Sequence, residues 1–597
     1  MSSSPTVGDF ILTRLREWGV KQVFGYPGDG INGLLGAWGK ANKEGLGPQF
    51  VQARHEEMAA FEAVGFAKFS DQVGVCCATS GPGAIHLLNG LYDAKLDHVP
   101  VVAIVGQTSR SALGGSYQQE VDLQSLFKDV CSEFVQTCTV PKQLPNLIDR
   151  AMRVALTRRV PTCVIVPSDV LELEHVLPGH AFKEVPSSLG ITEGIVVPDS
   201  DGLRAAADLL NAGRRVAILA GQGARGAHAE LTSVADALGA GVAKALLGKD
   251  VLGDDLPFVT GTVGLLGTVP SYKMMEGCDT LLTVGSSFPY TQFLPQLEQA
   301  RAVQIDKDGA MIGLRYPYEV NLVGDAKATL TALLPLLQRK EDRSWREQIE
   351  ADVRDWQQVL ERTALTDADP INPMRLFHEL SVRLPPGATI TADAGSSADW
   401  YGRYLQFRGG VRGSLSGTLA TMGPAVPYAI GAKWARPGVP AIAMTGDGAM
   451  QMNGLAELIT ISRYWQEWDD PHLVVAVLHN DDLNQVTWEL RAMGGFPKFA
   501  ESQTLPDVDY AAFARSIGLE GINVEKTDEV GPAWDRALSA GRPVVLDVRT
   551  DPDVPPVPPH ATFEQMAAMG KAMLKGDEDR WGVIKQGIKQ KVQEIRS

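Results

Sequence analysis

Two polar residues of this chain stand where apolar runs stop. Asp447 lies between glycines in AMTGDGAM (443 to 450), and Asn480 closes LVVAVLHN (473 to 480). Open parallel sheets bind ligands beyond the carboxyl ends of their strands, and glycine lets the backbone approach them closely. If these strands are neighbours, a carboxylate, an amide oxygen and a backbone carbonyl just beyond could give Mg²⁺ three hard ligands, with a bound diphosphate giving others. Gly446 and Gly448 would leave room for that phosphate, and a helix starting near Asn453 could aim its amides at it. GDG alone reads rather as a plain strand exit, and Asn at a strand end is common in turns. The pairing of the two strand ends is what makes a candidate metal site.

A second group is acidic and belongs to a helix. In RHEEMAAFEAVGFAK, Glu56 and Glu57 precede small and apolar residues at helical spacing. Glu57 is read as an acid favouring the dipole of the first turn. Glu56 could instead project from the helix start into a cleft, where burial disfavours its ionised form and suits it to share a proton with a heterocyclic nitrogen.

The elements that must carry these groups are short β-rich runs alternating with helical patterns: VGVCCATS, VPVVAIVGQ, TCVIVPSD, RVAILAGQG, TLLTVGSSF, ATITADAG, PAIAMTGDG, LVVAVLHN and PVVLDVRT. Near-continuous apolar strands ending in Gly, Ser, Asp or Asn are those of parallel sheets covered on both faces. The fold class is therefore α/β, doubly wound, and repeated. A length of 597 residues exceeds one core. Breaks at 173 to 200 and in the charged stretch 339 to 360 read as linkers. They leave domains at about 1–180, 190–340 and 365–550, followed after the proline-rich 551 to 560 by a helical tail over 560–597. An apolar fraction of 44% with 21% charged residues is that of an ordinary globular protein. The net charge of -16 argues against general nucleic-acid binding. The six cysteines show no CxxC or paired ligand spacing and read as reduced core residues. The N-terminus lacks a signal-peptide pattern and no run is long enough to span a membrane, so a cytoplasmic location is expected.

The ordered set GYPGDGINGL, RHEEMAAFEAVGFAK, TSGPGAIHLLNGLYDA, DHVPVVAIVGQ, MTGDGAMQMNG and HNDDLNQ resembles the thiamine diphosphate enzymes of the pyruvate oxidase and acetolactate synthase group, nearest the bacterial pyruvate oxidases, including those linked to quinone. The resemblance covers almost the whole chain. It implies a pyrimidine-binding domain first, a central FAD-type domain, and a diphosphate-binding domain last. By that resemblance Glu56 hydrogen-bonds the cofactor's aminopyrimidine, Met422 supports the bent cofactor from below, and Gln119 and Glu489 join the catalytic set. Asp447 and Asn480 are the Mg²⁺ ligands, with the carbonyl of Asp482 as third. Pro27, Gly28, Ser80, His86, Asn89, Gly395 and Ser396 border thiamine diphosphate, whereas His98 reads as packing. In the central domain Gly264, Leu265, Leu266, Gly285, Ser286, Ser287, Phe288, Pro289 and Asp306 match stretches that bind FAD.

The activity implied is decarboxylation of a small 2-oxo acid, pyruvate first, with the enamine oxidised through FAD. A non-redox carboligase joining it to an aldehyde or second oxo acid is the alternative. The chain departs from the oxidases at two positions where they carry Phe and it carries Gln118 and Gln485, with Trp488 adding bulk nearby; a more polar substrate or an altered electron path is expected. RYWQEWDDPH (463 to 472) reads as an inserted surface loop. In the tail, Trp581, Ile584, Ile588, Val592 and Ile595 form one helical stripe among lysines. A helix docked on its own protein is preferred to one lying on a membrane, because Gly582 and Gly587 weaken an isolated helix. The resemblance also implies a homodimer or homotetramer with active sites between subunits.

Overall fold

The computed structural model describes residues 4–45, 47–556 and 563–595. Three sheets of six strands carry the chain, and every strand pair in them is parallel. The first holds β1 (Gln22–Gly25), β2 (Gln49–Gln52), β3 (Gly74–Ala78), β4 (Val101–Gln107), β5 (Val135–Thr137) and β6 (Pro161–Pro167), in the order β2-β1-β3-β4-β6-β5. The second holds β7 (Val216–Ala220), β8 (Gly241–Lys244), β9 (Val259–Thr262), β10 (Thr280–Val284), β11 (Arg301–Asp306) and β12 (Val320–Val323), ordered β12-β11-β10-β7-β8-β9. The third holds β13 (Thr389–Ala392), β14 (Arg412–Ser414), β15 (Ala441–Gly446), β16 (Leu473–His479), β17 (Glu520–Val524) and β18 (Val544–Arg549), ordered β14-β13-β15-β16-β18-β17.

The first and third sheets thus repeat one topology, and the second follows another. In the first and third sheets the chain turns back near one edge, from β5 to β6 and from β17 to β18, and each of the three sheets has a switch point in its strand order, between β1 and β3, between β7 and β10, and between β13 and β15. Those crevices are where doubly wound sheets bind ligands. The strands at them are buried throughout or nearly so, as continuous apolar runs require when helices cover both faces. All six cysteines are free and buried.

Two expectations about connections need correction. The charged stretch read as a linker after residue 339 is mostly a 21-residue helix, Ser344–Ala364. Its buried Ile349 and Val353 join the central core, while Trp356 and Leu360 join the C-terminal core. Charge hides this seam because the other faces of the helix are wet. Residues 175–199, the other break, lack helix and strand. Trp468, expected on a surface loop, is buried against Trp434 with ring centroids 6.4 Å apart.

The tail forms helices Phe563–Leu574 and Arg580–Ile595. The second docks through Val583 and through Gln586, which donates to Asp551 at 2.7 Å. The predicted stripe is not the docked face: Trp581 is 72% and Ile588 60% exposed, with Ile584 and Val592 also open. The Ile595 side chain lies outside the described residues. No described helix is long and apolar enough to cross a membrane.

Candidate cofactor and catalytic site

In the third sheet, β15 and β16 pair from Ala441↔Leu473 to Gly446↔Leu478, so Asp447 and Asn480 emerge side by side. Asp447 is 2% exposed. Its Oδ2 accepts the amides of Asn480 (2.8 Å) and Asp481 (2.7 Å), and its Oδ1 accepts that of Gly448 (2.8 Å). Burial pushes the carboxyl up to about 6 against those amide bonds, and a cation would offset the same desolvation. Between the other two candidate ligands, Asp481 takes φ 54°, a left-handed conformation that Asp tolerates better than most residues. Its carboxylate is held by His479 Nε2 (2.9 Å) and Arg549. The Asp482 carboxylate is bound by Thr487 (3.0 Å) and Lys498 (3.0 Å), while its main-chain oxygen accepts the Asn484 amide (2.7 Å) and has a second lone pair to offer a metal. One carboxylate, the Asn480 amide oxygen and one carbonyl are a hard-oxygen set that fits Mg²⁺. His479 spends both ring nitrogens on Asp547 and Asp481, so it is no ligand despite its closeness.

The two glycines differ in purpose. A Cβ on Gly446 would meet open space, as a phosphate cradle needs, whereas one on Gly448 would strike Leu483 at 2.6 Å. The helical segment starts at Asp447 itself, not near Asn453, and passes through a π-helical turn (Met450–Gly454) before helix Leu455–Tyr464. Its first amides therefore face the β13/β15 crevice. At that crevice Asp393, which the sequence reading passed over, accepts the amides of Gly423 (2.7 Å) and Ala425 (3.3 Å) and so fixes the loop bearing Met422. Burial pushes Asp393 up to about 6.

A single cavity of about 830 Å³ joins this crevice to the central sheet. Gly395, Ser396, Met422, Gly446, Asp447, Gly448, Asn480, Asp482, Gln485 and Glu489 line it, together with Gly264, Leu265, Leu266, Gly285, Ser286, Ser287, Phe288, Pro289 and Asp306. Gly221 to Gly223 and Gly285, at the β7/β10 crevice, form its floor on the central side, and a Cβ on Gly285 would overlap Gly223 at 2.5 Å. Burial raises the Asp306 carboxyl, while the Asp308 amide bond opposes this. His98, expected as packing, also lines the cavity, as do Arg158 and Arg159. Trp488 does not: it is buried under Arg491, whose guanidinium carbon lies 5.1 Å from the ring centroid.

The first sheet holds a separate cluster at the β1/β3 crevice. Glu56 begins helix Glu56–Ser70, is 7% exposed, and places Oε2 2.9 Å from Nδ1 of His86. His55 caps that helix, and its ring lies 4.3 Å from that of His86, tilted by 32°. Glu57 does more than favour the dipole: it accepts Asn89 Nδ2 at 2.6 Å, and the same amide donates to Thr421 at 3.1 Å, beside Met422. Ser80 donates to Gln119 at 3.2 Å, and a Cβ on Gly28 would strike Thr79 at 2.5 Å. Pro27 is exposed at the rim, as is Gln118 on its loop. None of Pro27, Gly28, Glu56, Ser80, His86, Asn89, Gln118 or Gln119 lines the large cavity.

Comparison with known proteins decides what these crevices belong to. Residues 5–126 match the N-terminal TPP-binding domain of thiamine pyrophosphate enzymes, 203–333 the central domain, and 393–548 the C-terminal TPP-binding domain. The chain belongs to the thiamine pyrophosphate enzyme family. A Bacillus subtilis protein described as thiamine pyrophosphate-containing is 36% identical over 96% of both chains. An acetolactate synthase isozyme 2 large subunit of Escherichia coli is 30% identical over 93% of this chain and 98% of its own. A pyruvate oxidase of Lactiplantibacillus plantarum is 27% identical over 92% and 89%. The two crevices of like topology are thus the family's TPP-binding domains, separated by its central domain.

Proposed function

We propose that this enzyme decarboxylates a small 2-oxo acid, pyruvate first among candidates, with thiamine diphosphate, Mg²⁺ and FAD, and oxidises the two-carbon fragment that remains. The observation that carries this reading is the continuous cavity from the Asp447–Asn480 turn to the strand ends of the central sheet. Bound thiamine diphosphate supplies a centre that stabilises the carbanion left by carbon dioxide, and FAD supplies a two-electron acceptor. Asp447, Asn480 and the Asp482 carbonyl would hold Mg²⁺, and Gly446 leaves the backbone open to a diphosphate. Met422 would press an apolar surface under the cofactor, on a loop anchored by Asp393. Glu56, with Oε2 already shared with His86, would hold and pass a proton at the pyrimidine.

The Glu56 cluster lies off the large cavity, which supports a homodimer or tetramer in which this cluster serves the cavity of another chain. The exposed stripe Trp581–Val592 supports a peripheral contact with a membrane surface. A second reading, carbon–carbon bond formation of the acetolactate synthase kind, is favoured by Gln485 on the cavity wall and by the relative from Escherichia coli. Anaerobic addition of pyruvate to protein loaded with all three cofactors separates the two. Bleaching of the flavin spectrum supports oxidation. Carbon dioxide with a carbon–carbon product and unbleached flavin supports ligation, and absence of carbon dioxide from any 2-oxo acid refutes both.

A further inference from the structure

Part of the cavity wall carries polar atoms that the reading above does not use. Asp399 lies one turn into helix Ser396–Arg403, is 3% exposed, and lines the cavity. Its buried Oδ2 has no hydrogen-bond partner among the described residues. The Arg403 guanidinium, one turn on, donates to the carbonyls of Gly267 (3.1 Å) and Leu265 (3.2 Å). On the same cavity, Gln485 donates Nε2 to Glu489 at 3.2 Å and leaves its buried Oε1 without a partner. The two sides are close: a Cβ on Gly395, one turn before Asp399, would sit 3.8 Å from the Gln485 Cβ. Burial pushes the Asp399 carboxyl up to about 8, with the Arg403 charge opposing and the Glu489 charge adding to it. At neutral pH Asp399 is therefore an O–H donor and an acceptor, and Gln485 is an acceptor.

Buried polar atoms are seldom left unpaired, and a methyl group set against these would keep them so. A hydroxyl both donates and accepts, and so complements a neutral carboxyl beside an amide oxygen. We propose that Asp399, Gln485 and Glu489 form a hydroxyl-recognising subsite, so that the preferred substrate is a 2-oxo acid carrying a hydroxyl on the carbon next to its keto group. This rests on the reading of the cavity as a 2-oxo acid site.

The test compares carbon dioxide release from pyruvate and 3-hydroxypyruvate by the full-length protein loaded with thiamine diphosphate, Mg²⁺ and FAD. The subsite predicts a kcat/KM at least about tenfold higher for the hydroxylated acid. Asp399→Leu should lower that value at least about tenfold while moving pyruvate less than about threefold, and Gln485→Leu should lower the ratio of the hydroxylated acid to pyruvate at least about tenfold. Asp399→Asn, which keeps a donor and an acceptor, should retain most of the preference. Without turnover, calorimetry should show glycerate binding at least about tenfold more tightly than lactate, and Asp399→Leu should erase the difference. Pyruvate preferred by the wild type, or leucine variants that change both acids equally, would overturn the subsite while leaving the proposed function standing. Carbon dioxide from neither acid removes both.

Discussion

In the third sheet the candidate groups are fixed by main chain. Asp447 accepts three amides, Asp393 clamps the Met422 loop through two more, and Asp481 takes φ 54° between the other two candidate ligands. In the first sheet the grip is looser. Glu56 is held by one side chain, His86, whose own side chain is 42% exposed. The difference matches the two tasks. A cation and a diphosphate require ligands placed before binding, because reorganising them costs affinity. A carboxyl that passes a proton needs one good partner and freedom to exchange it. His86 and Pro27 are also exposed, whereas Asp447 in the third-sheet turn is buried.

Breaking the looser half should cost rate and spare binding. Glu56→Gln is expected to lower turnover by about a hundredfold to ten-thousandfold and to abolish proton exchange at the thiazolium C2, read by NMR, with thiamine diphosphate affinity changed only a few-fold. Breaking the fixed half should do the reverse. Asp447→Asn removes a charged metal ligand and should weaken Mg²⁺-dependent binding of thiamine diphosphate at least about tenfold by calorimetry. His86→Ala, which removes the side-chain partner of Glu56, should lower turnover by about tenfold.

A prediction of a different kind sharpens the contrast from the side of stability. Asp399 has its carboxyl raised from 3.8 to about 8 by burial. Between those values the folded chain holds a proton that the unfolded chain lacks, so stability falls as pH rises, by about 1.4 kcal/mol per unit at most. Asp399→Asn removes this slope. Thermal melts should show the variant gaining on the wild type from pH 5 to about pH 8 and no further. The raised acids Glu62 and Asp393 contribute alike in both proteins and cancel in the difference.

Much of this was legible in the sequence. An acid between glycines and an amide at the next strand end mark a parallel-sheet crevice before any fold is seen, because the hydrophobic run and its polar stop are local features. The start of the helix at Asp447 was not legible, since a Gly-Asp-Gly segment reads as a turn until its amides are seen to face a crevice. Helix Ser344–Ala364 passed for a linker because its buried residues divide between two cores. Trp488 and Gln485 are neighbours on one helix, and only packing decides which of them meets the cavity. Asp399 sits in SSADWYGR like any acid on a helix surface. Its helix also packs closely on another domain, where a Cβ on Gly402 would lie 3.2 Å from Leu266, a contact no local pattern reports.

The central claim is that the two halves form one site across two chains. Mixing unfolded or dissociated Glu56→Gln and Asp447→Asn proteins, assayed at a thiamine diphosphate concentration too low to support either alone, and reassembling them tests it directly. In a shared site each mixed dimer carries one doubly altered and one intact centre, and about a quarter of wild-type activity should return. If both halves serve the same chain, every centre keeps one lesion, and the mixture will stay as inactive as its components.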